Sequence, residues 1–104
     1  RNVSRLPQGE TVSLDLGKRR RFDLKLARHA VSLVGGSRWL LKDATGATFM
    51  LRPGKNFVGR SQQNDISLPS THRQISRRHL LVEPTSATTV RVTDLSSGGT
   101  FVTA

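Results

Sequence analysis

Three short stretches of this sequence carry side chains whose types and order could do chemistry together. The first is Phe57-Val58-Gly59-Arg60, where an arginine follows a glycine at the end of an apolar run. A guanidinium placed there can project over neighbouring loops as a planar fork, suited to an anion that accepts two parallel hydrogen bonds. The second is Ile75-Ser76-Arg77-Arg78-His79, in which Ser76 offers a hydroxyl and a backbone N–H just ahead of the apolar run Leu80–Val82. The third is Asp94-Leu95-Ser96-Ser97-Gly98-Gly99-Thr100-Phe101-Val102. Here an aspartate closes an alternating run, and the small, glycine-rich residues after it demand a tight loop.

Ser76 and His79 invite comparison with a hydrolase pair, but the pattern does not support one. They stand three residues apart on a loop-to-strand segment, no nucleophile-elbow glycines flank Ser76, and no acid is placed to orient His79. A hydrogen-bonded brace is the better reading of His79, and catalysis is not expected. The chain has no cysteine, so disulfides and thiolate metal ligands are excluded. His29, His72 and His79 are scattered along the sequence and are too few for a zinc cluster at any usual spacing. No metal or cofactor is expected.

Seventeen Lys and Arg against seven Asp and Glu give a formal charge of +10 over 104 residues. Such an excess favours polyanionic partners: nucleic acid, an anionic membrane surface or a phosphorylated protein. Charge alone does not choose among them. The only aromatics are Trp39 and four Phe, which make a poor platform for stacked bases. The densest basic run, Lys18–Arg21, reads as a solvated hairpin turn. No apolar run approaches the roughly 20 residues that span a bilayer as a helix.

The elements that must position these residues are strands. Val12, Leu14 and Leu16 alternate with polar residues, as do Phe22, Leu24 and Leu26. Further alternating or apolar stretches lie at 31–34, 39–41, 48–51, 56–59, 65–68, 79–82 and 90–93. Turn signals separate them, among them Gly17-Lys18, Gly35-Gly36-Ser37, Ala44-Thr45-Gly46 and Pro53-Gly54. The spacing reads as an all-β sandwich or barrel, with binding residues on loops gathered at one end. No amphipathic helix is predicted, and Arg28–Ala30 or Gly35–Ser37 is expected to form a loose connection.

The ordered set Gly59-Arg60, Ser76-x-x-His79 and Asp94 to Thr100 resembles the forkhead-associated (FHA) domain family, best from Trp39 to Val102. That resemblance implies an all-β sandwich of about eleven strands and a phosphothreonine-binding module. Arg60 and Ser76 would contact the phosphate and Arg77 would assist. Ser97, Gly98 and Gly99 would form the peptide-side loop, and Gly59, His79, Asp94 and Thr100 would hold the loops in place. The implied partner is a phosphothreonine-containing protein, in trans or within the host protein, phosphorylated by a Ser/Thr kinase; the implied place is the cytoplasm or nucleus, or the cytoplasmic part of a larger protein. Gly98 stands where the family has a loop asparagine that holds the ligand backbone, which puts affinity for the flanking peptide in question.

The order of elements also departs from the family, which places further strands after Gly-Thr-Phe-Val. Similar strands stand here within residues 1–38, ahead of the core motifs in 39–104. A single domain with circularly permuted order, or strands exchanged between chains, is therefore expected, with Arg1 and Ala104 close together. Starting at Arg1 without an initiator Met, the chain reads as a fragment or a processed product. Two other function classes remain: a degenerate scaffold that binds an unphosphorylated partner, and a basic nucleic-acid-binding β-domain.

Overall fold

The computed structural model describes residues 3–103, and the expected contact between Arg1 and Ala104 lies outside them. Eleven strands form in chain order. They are β1 (Val3–Arg5), β2 (Thr11–Asp15), β3 (Arg21–Leu26), β4 (His29–Val34), β5 (Leu40–Asp43) and β6 (Thr48–Met50). After these come β7 (Asn56–Gly59), β8 (Ile66–Ser67), β9 (Leu80–Pro84), β10 (Thr89–Asp94) and β11 (Thr100–Thr103). One sheet has the order β1-β11-β3-β4-β5-β6 and the other β2-β10-β9-β7-β8. All pairings are antiparallel except β7 with β8. Among the described residues no helix is long and apolar enough to cross a membrane.

Alternation in the sequence becomes inside and outside in the sandwich. On β3, Phe22, Leu24 and Leu26 are buried while Arg21, Asp23 and Lys25 are exposed. They meet Leu33 and Leu41 of the same sheet and Val58, Leu80, Val82, Val90 and Val92 of the facing one in a single apolar core. Burying a leucine or valine contributes about 1.5–3 kcal/mol, so this layer supplies the fold's main driving force. Trp39 is buried at its margin, and its indole Nε1 donates to Ser86 O at 2.6 Å.

Strands from the first third of the chain interleave with those from the remainder. β11 lies between β1 and β3, with Val3 opposite Thr103, and β10 lies between β2 and β9. The expected loose connection at Arg28–Ala30 is instead a tight hairpin. Leu26 pairs with His29 across Ala27 and Arg28, and Ala27 adopts the left-handed φ of 57° that such a short turn needs.

The connections gather at the two ends of the sandwich. The β2–β3 and β9–β10 turns meet at one, where Leu16 N donates to Thr88 O at 2.7 Å and Gly36 N to Ala87 O at 3.0 Å. The β3–β4, β7–β8, β8–β9 and β10–β11 connections gather at the other. Gly59, Arg60, Ser76, His79 and Ser96–Thr100 all belong to this second end.

Candidate functional site

Arg60 leaves the end of β7 at a point where two backbones nearly touch. A Cβ on Gly59 would stand 2.1 Å from Arg77 O, so only glycine admits the approach. The contact is laced by Arg60 N to Ser76 O and Ser61 N to Arg77 O, each at 3.1 Å. The half-buried Arg60 side chain donates from Nε to Ile75 O. That anchor fixes the plane of the guanidinium and leaves its terminal amino groups for an outside acceptor.

Ser76 is held by His79. Its amide donates to His79 Nδ1 at 3.0 Å, and its hydroxyl oxygen accepts from Ser97 N at 3.3 Å. One expectation is corrected here: the Ser76 amide is committed to the histidine ring, so the residue's free donor is the hydroxyl alone. Because Nδ1 accepts, the proton sits on Nε2, which donates to Gly99 O at 2.9 Å. Burial holds His79 below its ordinary value, while the Gly99 carbonyl and the charge of Asp94 oppose that shift. Both ring nitrogens are bonded to backbone and neither bonds the Ser76 hydroxyl, so the ring is not placed to deprotonate the serine.

The loop from Asp94 to Thr100 is tied internally. Buried Asp94 Oδ1 accepts from Ser96 N at 3.1 Å, Ser96 Oγ at 2.6 Å and Thr100 Oγ1 at 2.9 Å. Its Oδ2 is buried with no partner among the described residues. Gly99 takes a φ of 93°, where a side chain would be strained, and its amide donates to Ser96 Oγ at 2.8 Å. The Gly99 carbonyl also accepts from Ala27 N at 2.9 Å, joining the β3–β4 hairpin to the site. Ser97 and Gly98 are left exposed at the crest of the loop.

Besides a cleft of about 370 Å³ that Arg60 lines with Gln62 and Ser70 among others, two clefts flank the Arg60–Ser76 pair. One, of about 530 Å³, is lined by Ala27, Arg28, Arg73, Gln74, Ser97 and Gly98 among others. A Cβ on Gly98 would meet Ala27 Cβ and Gln74 O at 3.4 Å, an ordinary contact distance. The other cleft, of about 500 Å³, is lined by Arg60, Ser61, Gln63, Asn64, Arg77 and Arg78. The sequence-predicted residues thus converge: Arg60, Ser76 and Ser97 are linked through one hydrogen-bonded frame, and Arg77 lies beside Arg60.

Three features escaped the sequence. Asn64 Nδ2 donates to Ser61 O at 2.9 Å and to Arg77 O at 2.5 Å, which clasps the β7–β8 turn to the Ser76 loop. Arg78 lies over the Phe57 ring, 4.2 Å from its centroid. His29 and His72, distant in sequence, stack with centroids 4.2 Å apart and bridge the β3–β4 hairpin to the β8–β9 loop. A spacing of 43 residues between two histidines carries no signal of contact; only the hairpin geometry creates it.

No curated protein and no solved structure matches the chain. A family model does, the FHA domain, over residues 56–104, which contain Gly59, Arg60, Ser76, His79, Asp94 and Thr100. Over that stretch, just under half of the chain, the sequence is similar to the FHA domain family.

Proposed function

We propose that this chain is a phosphothreonine-dependent peptide-binding module with no catalytic step, serving proteins phosphorylated by a Ser/Thr kinase inside the cell. FHA domains are in general phosphothreonine-binding protein-interaction modules rather than enzymes. The observation that carries the reading is the anchored Arg60 guanidinium beside a Ser76 loop braced by His79. A phosphothreonine brings about −1.5 to −2 charge and three acceptor oxygens. Arg60 supplies the fork, the Ser76 hydroxyl a further donor, and Arg77 an auxiliary cation. Each charge-assisted bond contributes about 1.5–3 kcal/mol. The Ser97-Gly98-Gly99 loop is the peptide side, and the ligand is a separate protein or another part of the host protein.

A second reading has an observation of its own. Gly98 offers the ligand backbone no side chain, as a scaffold for an unphosphorylated partner would tolerate. A degenerate phosphothreonine peptide library titrated against its unphosphorylated copy separates the two. The module reading expects binding by the phosphorylated library alone, and release of any bound protein partner by excess phosphothreonine peptide. Equal binding of both libraries, or a partner that excess peptide does not release, supports the scaffold instead.

A further inference from the structure

We propose that the end of the sandwich remote from Arg60 is a second binding site, which takes an extended acidic peptide segment. A short aliphatic side chain of that segment would enter the cleft between the turns, while its carboxylates meet the arginines beside it. The site goes beyond the phosphothreonine reading and does not depend on it.

Charge comes first. Lys18–Arg21 put consecutive cations on the β2–β3 turn and the first residue of β3, all of them exposed. Among the described residues Arg21 pairs with Asp23 at 3.3 Å, whereas Lys18, Arg19 and Arg20 take part in no ion pair. Geometry comes second. Arg19 and Arg20 line a cleft of about 320 Å³ together with Leu16, Val34, Gly35 and Ala87 among others. The surrounding turns are locked to one another, with Gly35 N donating to Arg20 O at 2.9 Å and Gly36 N to Ala87 O at 3.0 Å. A Cβ on Gly35 would stand 2.3 Å from Leu16 Cδ1 and 2.9 Å from Ala87 O, so the turns touch as closely as glycine allows. The cleft is thus preformed, which spares a ligand the cost of ordering it.

Chemistry selects the occupant. The amides of Gly17, Arg19, Gly35 and Gly36 are given to protein acceptors, so anion capture falls to the side chains rather than to a backbone nest. Guanidinium forks match carboxylates, and the glycines, Leu16, Val34 and Ala87 leave room between them for a small apolar group. Phe22 and Trp39, the aromatics of these strand ends, are buried and offer no face to a nucleic-acid base. The large exposed apolar residues Val3, Met50 and Leu95 do not line the cleft, so no apolar wedge accompanies the cations toward a lipid layer.

The test is fluorescence polarisation with two labelled, unphosphorylated peptides of equal length and charge. One alternates glutamate with valine and the other glutamate with serine. The proposal expects the valine peptide to bind about fivefold tighter. Arg19→Gln with Arg20→Gln should weaken it about tenfold, as two exposed ion pairs are lost. Lys25→Gln with Lys42→Gln removes the same charge from exposed positions on β3 and β5 and should leave affinity within about twofold. Ala87→Leu, at an exposed position, fills the cleft without altering charge and should bring the valine peptide down to the serine one. Equal weakening by both charge variants, equal binding of the two peptides, or indifference to Ala87→Leu overturns the site. Duplex DNA or phosphatidylserine vesicles bound in preference to both peptides, through Arg19 and Arg20, would overturn it in favour of a nucleic acid or a membrane surface. Phosphothreonine-peptide binding should be unchanged when Arg19 and Arg20 are neutralised, so failure at either end leaves the reading of the other standing.

Discussion

At the residue scale the site depends on which donors are already spent. Arg60 Nε and the Ser76 amide serve the protein, to Ile75 O and His79 Nδ1, so what remains for an outside acceptor is the arginine's terminal groups and the serine hydroxyl. Division of this kind favours a rigid site, because the anchored atoms lose no freedom when ligand arrives. Gly98 is the position where the chain offers least. A Cβ there meets only Ala27 Cβ and Gln74 O at 3.4 Å, and no positive φ stands in the way. Gly98→Asn should therefore fold normally and give the loop an amide for the ligand backbone. One added hydrogen bond is worth about 0.5–1.5 kcal/mol, so phosphopeptide affinity should rise about two- to tenfold in a calorimetric titration. Unchanged or weaker binding by a normally folded variant would mean that the peptide backbone does not pass Gly98.

At the element scale, the strand-end contact between β7 and the Ser76 loop is what brings Arg60 and Ser76 together. Gly59→Ala would drive a Cβ into Arg77 O, a backbone atom that cannot swing aside. Overpacking of this kind costs about 1–3 kcal/mol, and the strain falls on the Arg60–Ser76 spacing. The variant should melt lower and lose phosphopeptide affinity together; loss of neither would show that the loops tolerate separation. Much of this element-level arrangement was legible in the residues. Period-two alternation at Phe22, Leu24 and Leu26 gave a strand, and Asp94 with Ser96–Gly99 gave a tight loop, because both patterns have few alternative solutions. The Arg28–Ala30 hairpin was misread because an Ala27-Arg28 turn lacks the Gly or Asn that usually marks one. The destiny of the Ser76 amide was hidden for another reason: side-chain-to-backbone bonds depend on packing, not on spacing.

At the scale of the whole molecule, the chain is compact, with a radius of gyration of 12.2 Å against about 13 Å expected for a folded chain of 100 residues. Its charge is unevenly used. Lys18–Arg21 lie at the turn end, where β3 begins, and that strand runs about 20 Å over its six residues toward the site. Net charge predicted a polyanionic partner but could not say which of two poles would meet it. Stability should also depend on pH. His79 is held below its ordinary 6.5 by burial, and His29 by burial and its neighbour His72. Above pH 6.5 neither the folded nor the unfolded chain protonates these groups, so they leave stability flat. As pH falls through 6.5 the unfolded chain takes up protons first, and stability drops until the folded histidines also titrate. A second loss follows below pH 3.8. Asp65 is held low chiefly by the Phe57 amide, and at Asp43 hydrogen bonds from Thr45 and Ala47 outweigh an upward pull from burial. Thermal melts should thus give a constant Tm from about pH 7 to 8, a decline toward pH 5 and a further fall below 4. A Tm that rises between pH 7 and 5 would contradict the neutral, buried state assigned to His79.

The central claim is that a phosphate is read by Arg60. The measurement that tests it most directly is titration of a phosphothreonine peptide selected from the library into wild type and Arg60→Ala, at fixed salt. Loss of the fork should weaken binding about tenfold to over a hundredfold, from the roughly 1.5–3 kcal/mol of each charge-assisted bond, and bring the phosphorylated peptide close to its unphosphorylated copy. Neutralising Lys18–Arg21 should change far less. Affinity that survives Arg60→Ala but collapses when Lys18–Arg21 are neutralised would contradict the account and place the chain's anion-binding surface at its other end.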